Sequence, residues 1–181
     1  MRYITGNIMD LLGRPDAICI TTNGFTTSRG KAVMGMGIAK QMAERFPELP
    51  GTLGHRIREN GNQVQLLMQY SKTRLLSMPV KPVQKRITSL DEVVSHARDK
   101  YHVGSVVPGF HCVADIEIIR KSCDELMFLA TRAGYQHVVL PIPGCGAGEL
   151  SYSRDGVREI CETLLDDRFF MCSFKQSDFR R

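Results

Sequence analysis

Short apolar runs alternate along the chain with longer stretches in which apolar residues recur every three or four positions. The short runs predict β-strands, because they are rich in strand-forming side chains and end at polar, glycine or proline residues. They cover residues 2–5, 17–21, 64–68, 75–78, 138–142 and 169–174. The periodic stretches predict α-helices, because this spacing gathers the apolar side chains on one face. They cover residues 34–46, 53–59, 116–133 and 157–165.

Two further features lie between the strand at 75–78 and the helix at 116. Ser89 and Glu92 have the spacing of a capping box, which predicts a helix ending near Tyr101. Residues 104–111 carry Pro108–Gly109 at their centre and are interpreted as an irregular loop.

This order of elements predicts an α/β protein, because helices alternate with strands throughout the chain. Helices then cover both faces of one sheet, in a three-layer α/β/α sandwich. The wholly apolar run at 138–140 is typical of a strand covered on both faces. A length of 181 residues suits a single domain, here residues 1–181.

The composition is that of a soluble globular protein, with 43% hydrophobic and 24% charged residues. No apolar run approaches the ~20 residues of a membrane span, and the first residues lack a signal-peptide core. The six cysteines form no C-x-x-C pair, which indicates buried thiols rather than a metal or redox site. We therefore expect a cytoplasmic protein without a metal, a redox cofactor or a membrane partner.

The formal net charge of +5 suits a phosphate-bearing ligand or a nucleic-acid partner. The basic residues are scattered, except for Arg180–Arg181, and this favours a solvated surface. Direct nucleic-acid binding has weak support.

Glycines collect in two loops that follow predicted strands. Residues 35–39 read Gly-Met-Gly-Ile-Ala and open a helix, which favours either anion binding by backbone amides or tight packing of that helix on the sheet. Residues 143–149 read Pro-Gly-Cys-Gly-Ala-Gly-Glu, which favours an anion-binding concavity over a mobile turn.

Lys81 stands out because Pro79 and Pro82 bracket it. Each proline fixes its own φ and restricts the residue before it, so stiff backbone presents the lysine. Both a functional amine and a solvated surface charge remain open.

Three of these segments, in this order, resemble the macrodomain family over nearly the whole chain. Residues 3–8 resemble the family's opening strand and Gly-Asp-Ile/Leu turn. Residues 22–24 with 34–39 resemble its Asn and Gly-x-Gly-Ile-Ala loop, and 140–146 its second phosphate-binding loop. Pro79-Val80-Lys81 is similar to the lysine motif of the branch with terminal ADP-ribose-protein glycohydrolases and DNA ADP-ribosyl glycohydrolase antitoxins. Asp167-Arg168-Phe169 is similar to bacterial and phage members.

The resemblance implies a macrodomain-like mixed central sheet and a site for ADP-ribose or an ADP-ribosylated substrate. It implies that Asn7 holds the adenine amino group, that Asn23 contacts the distal ribose and that Phe174 lines the adenine pocket. The two loops would supply amides to the diphosphate. The implied ligand-binding residues are Asn7, Ile8, Asn23, Gly35, Met36, Gly37, Ile38, Pro143, Gly144, Cys145, Gly146, Ala147, Gly148 and Phe174.

The resemblance also implies de-ADP-ribosylation, a hydrolase activity, in which Lys81 attacks the anomeric carbon. Such catalysis needs an amine of depressed pKa. The chain departs from the family pattern at Gly148, where the catalytic aspartate falls, and Glu149 is the candidate acid in its place. A non-catalytic ADP-ribose reader and an ADP-ribose 1″-phosphate phosphatase remain alternatives.

A second departure is the segment 83–112, which is long for its place in the family. It is interpreted as an insert that serves as a lid over the distal ribose, an oligomer contact or a specificity element. Its histidines, His96, His102 and His111, lie too far apart in the sequence to indicate a metal site.

Overall fold

The computed structural model describes residues 1–180. Its strands are β1 (Arg2–Thr5), β2 (Ala17–Asn23), β3 (Gln65–Tyr70), β4 (Thr73–Lys81), β5 (Gln84–Arg86), β6 (Val106–Pro108), β7 (Val138–Pro141) and β8 (Phe169–Ser173). Its α-helices are α1 (Gly37–Arg45), α2 (Leu49–Asn60), α3 (Ile116–Ala133) and α4 (Val157–Leu164). Within residues 1–180, no helix is long and apolar enough to cross a membrane.

The six strands predicted from the apolar runs form one sheet in the order β1-β8-β7-β2-β4-β3. All neighbouring pairs are parallel except β3 and β4, which the turn at 71–72 joins as an antiparallel hairpin. The predicted mixed α/β sheet is therefore confirmed. The carboxyl ends of β2, β4, β7 and β8 share one edge, and the loops that leave this edge meet above it.

Strand β2 shows why helices cover both faces of the sheet. Its fully buried residues alternate, with Cys19 in the core beneath α3 and α4, and Ile18 and Ile20 in the core beneath α1 and α2. A strand with apolar side chains on both faces is stable only when both faces are covered. The predicted three-layer sandwich is confirmed.

Helix α3 begins and ends where its sequence signals lie. The Asp115 carboxylate accepts hydrogen bonds from the backbone N–H groups of Glu117 and Ile118. Gly134 ends the helix in the left-handed conformation, at φ 70°. Helix α1 begins at Gly37 rather than at Met34, so residues 34–36 remain a loop at the sheet edge.

The predicted helix from Ser89 to Tyr101 is wrong. The Ser89–Glu92 capping box forms, but it caps a single 3-10 turn, and a second 3-10 turn covers Ser95–Lys100. Val93 and Val94 separate the two turns because both are fully buried in a small core of their own. The other buried members of this core are Ile87, Ala97, Val107 and Cys112.

The interpretation of residues 104–111 as an irregular loop is also wrong. Strand β6 pairs antiparallel with β5, and a 3-10 turn follows at Gly109–His111. The segment 83–112 is therefore a small two-stranded unit, and β5 places it directly after the end of β4.

Candidate functional site

One cavity of about 830 Å³ lies at the carboxyl edge of the sheet, within the usual size range of small-molecule sites. Residues that follow β2, β4, β7 and β8 line it. Three strand intervals separate β8 from β4, so the cavity spans about 14 Å across the sheet. Such a shape suits an elongated ligand.

The first glycine loop lines the middle of this cavity with Gly35, Met36, Gly37 and Ile38. No side chain caps helix α1 at Met36, so the N–H groups of its first turn are available to a ligand. Uncapped N–H groups at a helix start favour an anion.

The second glycine loop, residues 143–149, is folded onto the protein rather than mobile. The Leu150 N–H donates to the Gly144 carbonyl at 3.0 Å, and the Ala114 N–H donates to the Gly148 carbonyl at 2.9 Å. Gly144 has a φ of +75°, and a Cβ there would lie 2.9 Å from Ala114 Cβ. A Cβ on Gly146 would meet nothing within 4 Å. Gly144 is thus needed by the fold, whereas Gly146 leaves space on the cavity side.

Thr22 supplies an unpartnered polar group between the two loops. Its side chain is 5% exposed and lines the cavity. The hydroxyl oxygen has no hydrogen-bond partner within residues 1–180. A buried hydroxyl without a partner is costly, so this group indicates a place for a ligand or water.

Lys81 ends β4 and lies in the cavity wall with only 7% of its surface exposed. Its Nζ donates to the Ala147 carbonyl of the second loop at 2.8 Å. Burial lowers the pKa of Lys81 to about 8. The amine is therefore closer to losing its proton at neutral pH than a surface lysine is.

Asn23 pairs with Lys81 across β2 and β4, at a point where the register shifts. Its side chain lines the cavity, but its amide also holds the first loop. Nδ2 donates to the Val33 carbonyl at 2.9 Å, and Oδ1 accepts from the Phe25 N–H at 3.0 Å.

Glu149 lines the cavity but is turned toward the segment 83–112. Its carboxylate accepts from the Ser95 N–H at 2.9 Å and from the Ser95 hydroxyl at 2.7 Å, while its backbone has a φ of +61°. Burial acts to raise the pKa of Glu149, but the Ser95 hydrogen bonds and the charges of Arg98 and His96 outweigh it and keep the pKa below its usual value. Glu149 thus joins the second loop to the segment.

The segment 83–112 contributes Phe110, His96 and His111 to the cavity wall near Lys81. None of the three was a predicted site residue, because only the fold of the segment brings them together. Phe110 packs edge-on against Phe25 at 5.1 Å between ring centroids. No group of three or more histidine, cysteine or acidic side chains within residues 1–180 is placed to hold a metal ion.

The β8 end of the cavity has a different character. Phe174 is 64% exposed there, and Asp178 lines the wall beside it. The Ser173 hydroxyl donates to Asp178 Oδ2 at 2.5 Å, which fixes that carboxylate. An open aromatic ring beside a fixed acid suits a flat base with an amino group.

Two predicted binding residues do not line the cavity. Asn7 uses its Oδ1 to accept from the Met9 N–H at 3.1 Å, as the cap of the 3-10 turn Ile8–Leu11, although Gly6 and Ile8 on either side do line the cavity. Pro143 supplies a carbonyl to the thiol of Cys145. Burial raises the pKa of that thiol to about 12, so Cys145 is a wall residue rather than a nucleophile. The other predicted binding residues all line the cavity.

The sequence matches no protein-family model and no curated protein. The fold does match solved structures. The macrodomain of Thermus aquaticus DarG superposes with a TM-score of 0.65 at 16% identity, over 96% of this chain and 97% of that one. The macrodomain of Mycobacterium tuberculosis DarG gives 0.62 at 16% identity, over 94% and 95% of the two chains.

This chain has the macrodomain fold. A third solved structure, Thermosipho africanus DarTG in complex with ADP-ribose, superposes with a TM-score of 0.58 at 16% identity. The match covers 88% of this chain and 38% of that one. At these identities the likeness shows the fold, so the function must be argued from the cavity itself.

Proposed function

We propose that this protein binds ADP-ribose in the cavity at the carboxyl edge of the sheet. The observation that carries the proposal is the order of groups along the cavity: an exposed aromatic ring and an acid at β8, two amide-rich loops in the middle, and a buried lysine at β4. ADP-ribose has a base, a diphosphate and a sugar aldehyde in the same order. The macrodomain fold and the ADP-ribose complex of the Thermosipho africanus protein support the same ligand.

Titration of the protein with ADP-ribose by calorimetry tests this proposal. We expect saturable one-to-one binding, with weaker binding of AMP, which lacks the second phosphate and the distal ribose. No heat and no thermal shift with ADP-ribose would leave only a shared fold.

Asp178, rather than Asn7, is the residue we assign to the adenine amino group. Asp178 lines the cavity beside Phe174, and the Ser173 hydroxyl occupies only its Oδ2. Asn7 already uses its acceptor on the backbone and does not line the cavity.

The substitution Asp178→Asn is expected to lower the ratio of two affinities about tenfold: that for ADP-ribose over that for the analogue in which inosine replaces adenosine. A hydrogen bond to a charged acceptor contributes about 1.5–3 kcal/mol, and an amide can turn to donate to the inosine carbonyl. Competition titrations with the two ligands measure the preference. Asn7→Asp keeps the acceptor for Met9 and serves as the control; a preference that changes with Asn7 and not with Asp178 would reverse the assignment.

We further propose that the protein hydrolyses an ADP-ribosyl linkage with Lys81 as the nucleophile. The amine attacks the anomeric carbon C1″, the bond from C1″ to the carrier breaks, and water later releases ADP-ribose from the lysine. A buried amine with a depressed pKa at the sugar end of the cavity supports this chemistry.

A reader without turnover is the second candidate. Gly148 provides no side chain where the family's aspartate falls, and the Glu149 carboxylate is held by Ser95. A reader would bind ADP-ribose and release no product from an ester-linked ADP-ribosyl peptide, an ADP-ribosylated oligonucleotide or ADP-ribose 1″-phosphate.

A further inference from the structure

A lysine nucleophile in this cavity needs a partner that moves protons. Because the pKa of Lys81 is about 8, the ammonium form outnumbers the free amine by roughly ten to one at pH 7. Glu149 is poorly suited to this task, because its carboxylate accepts hydrogen bonds from Ser95 and its pKa lies below the usual value. The following inference rests on the proposed lysine chemistry and adds a residue to it.

His111 is held in the cavity wall by contacts on several sides. Its Nδ1 lies 2.8 Å from the Tyr101 hydroxyl. The centroid of its ring lies 4.4 Å from that of Phe110 and 5.9 Å from that of His96. Its other ring nitrogen, Nε2, has no hydrogen-bond partner within the described chain, residues 1–180. The ring is therefore oriented by Tyr101 and leaves one nitrogen for a ligand.

The backbone around His111 is joined to the residues that follow Lys81. The Gly109 N–H donates to the Val83 carbonyl at 2.8 Å, and a Cβ on Gly109 would overlap the Pro82 carbonyl. The His111 carbonyl in turn accepts from the Val94 N–H at 3.0 Å. The turn that carries His111 is thus packed directly against the chain leaving β4, which explains why both side chains face one cavity.

We propose that His111 is the general base and acid of the Lys81 reaction. Nε2 takes a proton from the Lys81 ammonium, and the free amine so formed then makes its bond to C1″. His111 then gives that proton to the carrier atom as its bond to C1″ breaks. Charge and protons balance, because the carrier leaves neutral and the base returns to its starting form. In this role Nδ1 carries the ring proton and donates it to the Tyr101 hydroxyl oxygen, which leaves Nε2 free to accept, and Tyr101 is a positioning residue that orients the ring.

The charges around His111 favour its neutral form. Burial is the largest cause that lowers the pKa of His111, and electrostatic interactions with Lys100, His96 and Lys81 lower it further. The Tyr101 hydroxyl contacts the His111 ring directly, and Glu149 and the buried thiol of Cys112 act on Lys81. A neutral imidazole at neutral pH is the form that accepts a proton.

Trapping of the lysine adduct tests this role without knowledge of the carrier. Free ADP-ribose exposes an aldehyde at C1″, the Lys81 amine condenses with it and loses water, and sodium cyanoborohydride supplies the hydride that reduces the imine. Intact-mass spectrometry then gives the rate of adduct formation. General acid–base catalysis contributes about 10²–10⁴-fold, so His111→Gln should slow trapping by about that factor while ADP-ribose affinity stays within about twofold.

The pH profile separates this role from a structural one. The wild-type rate should rise as His111 loses its proton, at a pH below 6.5, the ordinary pKa of a histidine. The rate of His111→Gln should rise only near pH 8, where Lys81 loses its own proton. Imidazole should restore part of the rate of His111→Ala, and Tyr101→Phe should show a smaller loss than His111→Gln.

His102→Gln is the matched control, because His102 is an exposed histidine of the same segment whose Nδ1 lies 3.0 Å from the Val103 carbonyl. It should trap at the wild-type rate. Trapping by His111→Gln at the wild-type rate and with the wild-type pH profile would overturn the inference, as would loss of ADP-ribose binding in that variant. Absence of any wild-type adduct would instead contradict the proposed lysine chemistry, and this inference with it.

Discussion

Lys81→Ala is expected to lower the rate of ADP-ribosyl cleavage and adduct trapping by at least about 10³-fold while ADP-ribose still binds. The variant removes the only lysine amine that lines the cavity within residues 1–180, and covalent catalysis has no substitute for a missing nucleophile. Binding should survive because the amide loops and the β8 end are unchanged. The rate is measured in single-turnover assays with an ester-linked ADP-ribosyl peptide and with an ADP-ribosylated oligonucleotide. The trapping reaction gives a further measurement.

Lys81→Arg sharpens this test. A guanidinium keeps the positive charge and can still donate to the Ala147 carbonyl, but it does not lose its proton at accessible pH. It should therefore be as inactive as the alanine variant and bind ADP-ribose at least as well. Wild-type turnover in either variant would remove Lys81 from the mechanism, whereas no turnover in the wild type itself would leave the reader as the surviving function.

Gly146→Val is expected to weaken ADP-ribose binding at least about 100-fold without unfolding the protein. A Cβ on Gly146 meets nothing within 4 Å, so the added methyl groups project into the cavity beside the second loop. There they would fill the space of the diphosphate and keep it from the backbone amides. Calorimetry measures the affinity, and thermal unfolding checks the fold.

Gly51→Val is the matched control for this substitution. Gly51 lies in α2, away from the cavity, and a Cβ there also meets nothing within 4 Å. It should bind ADP-ribose as the wild type does. Gly144→Val would be a poor test, because its positive φ and its contacts with Ala114 and Ile119 make it a folding variant. Equal affinities of the wild type and Gly146→Val would place the diphosphate elsewhere.

The sheet was predictable because its strands carry apolar side chains on both faces and end at polar, glycine or proline residues. The runs at 17–21 and 138–142 became β2 and β7, and Gly134 ended α3 as expected. The segment 83–112 was not predictable in this way. Its capping box is real, but the next two valines are buried in a separate core, and tertiary packing decided the local conformation.

The site was predictable where a motif follows a strand. Gly35, Gly146 and Lys81 all reach the cavity, because loops after parallel strands meet at one edge of a sheet. His111 and Asp178 carry no motif and reach the cavity only through 3-10 turns after β6 and β8. Asn7 was predicted from its place in the motif after β1, but its side chain accepts a hydrogen bond from the Met9 N–H instead.

The separate core of residues 83–112 affects how this protein can change during evolution. Its six buried residues pack mainly with one another, whereas the sheet has its own two cores. Phe110 and His96 belong to this segment and to neither core of the sheet, so mutations at these two positions leave both of those cores unchanged. Under the proposed function, a change of carrier then needs mutations in only one short stretch of the gene.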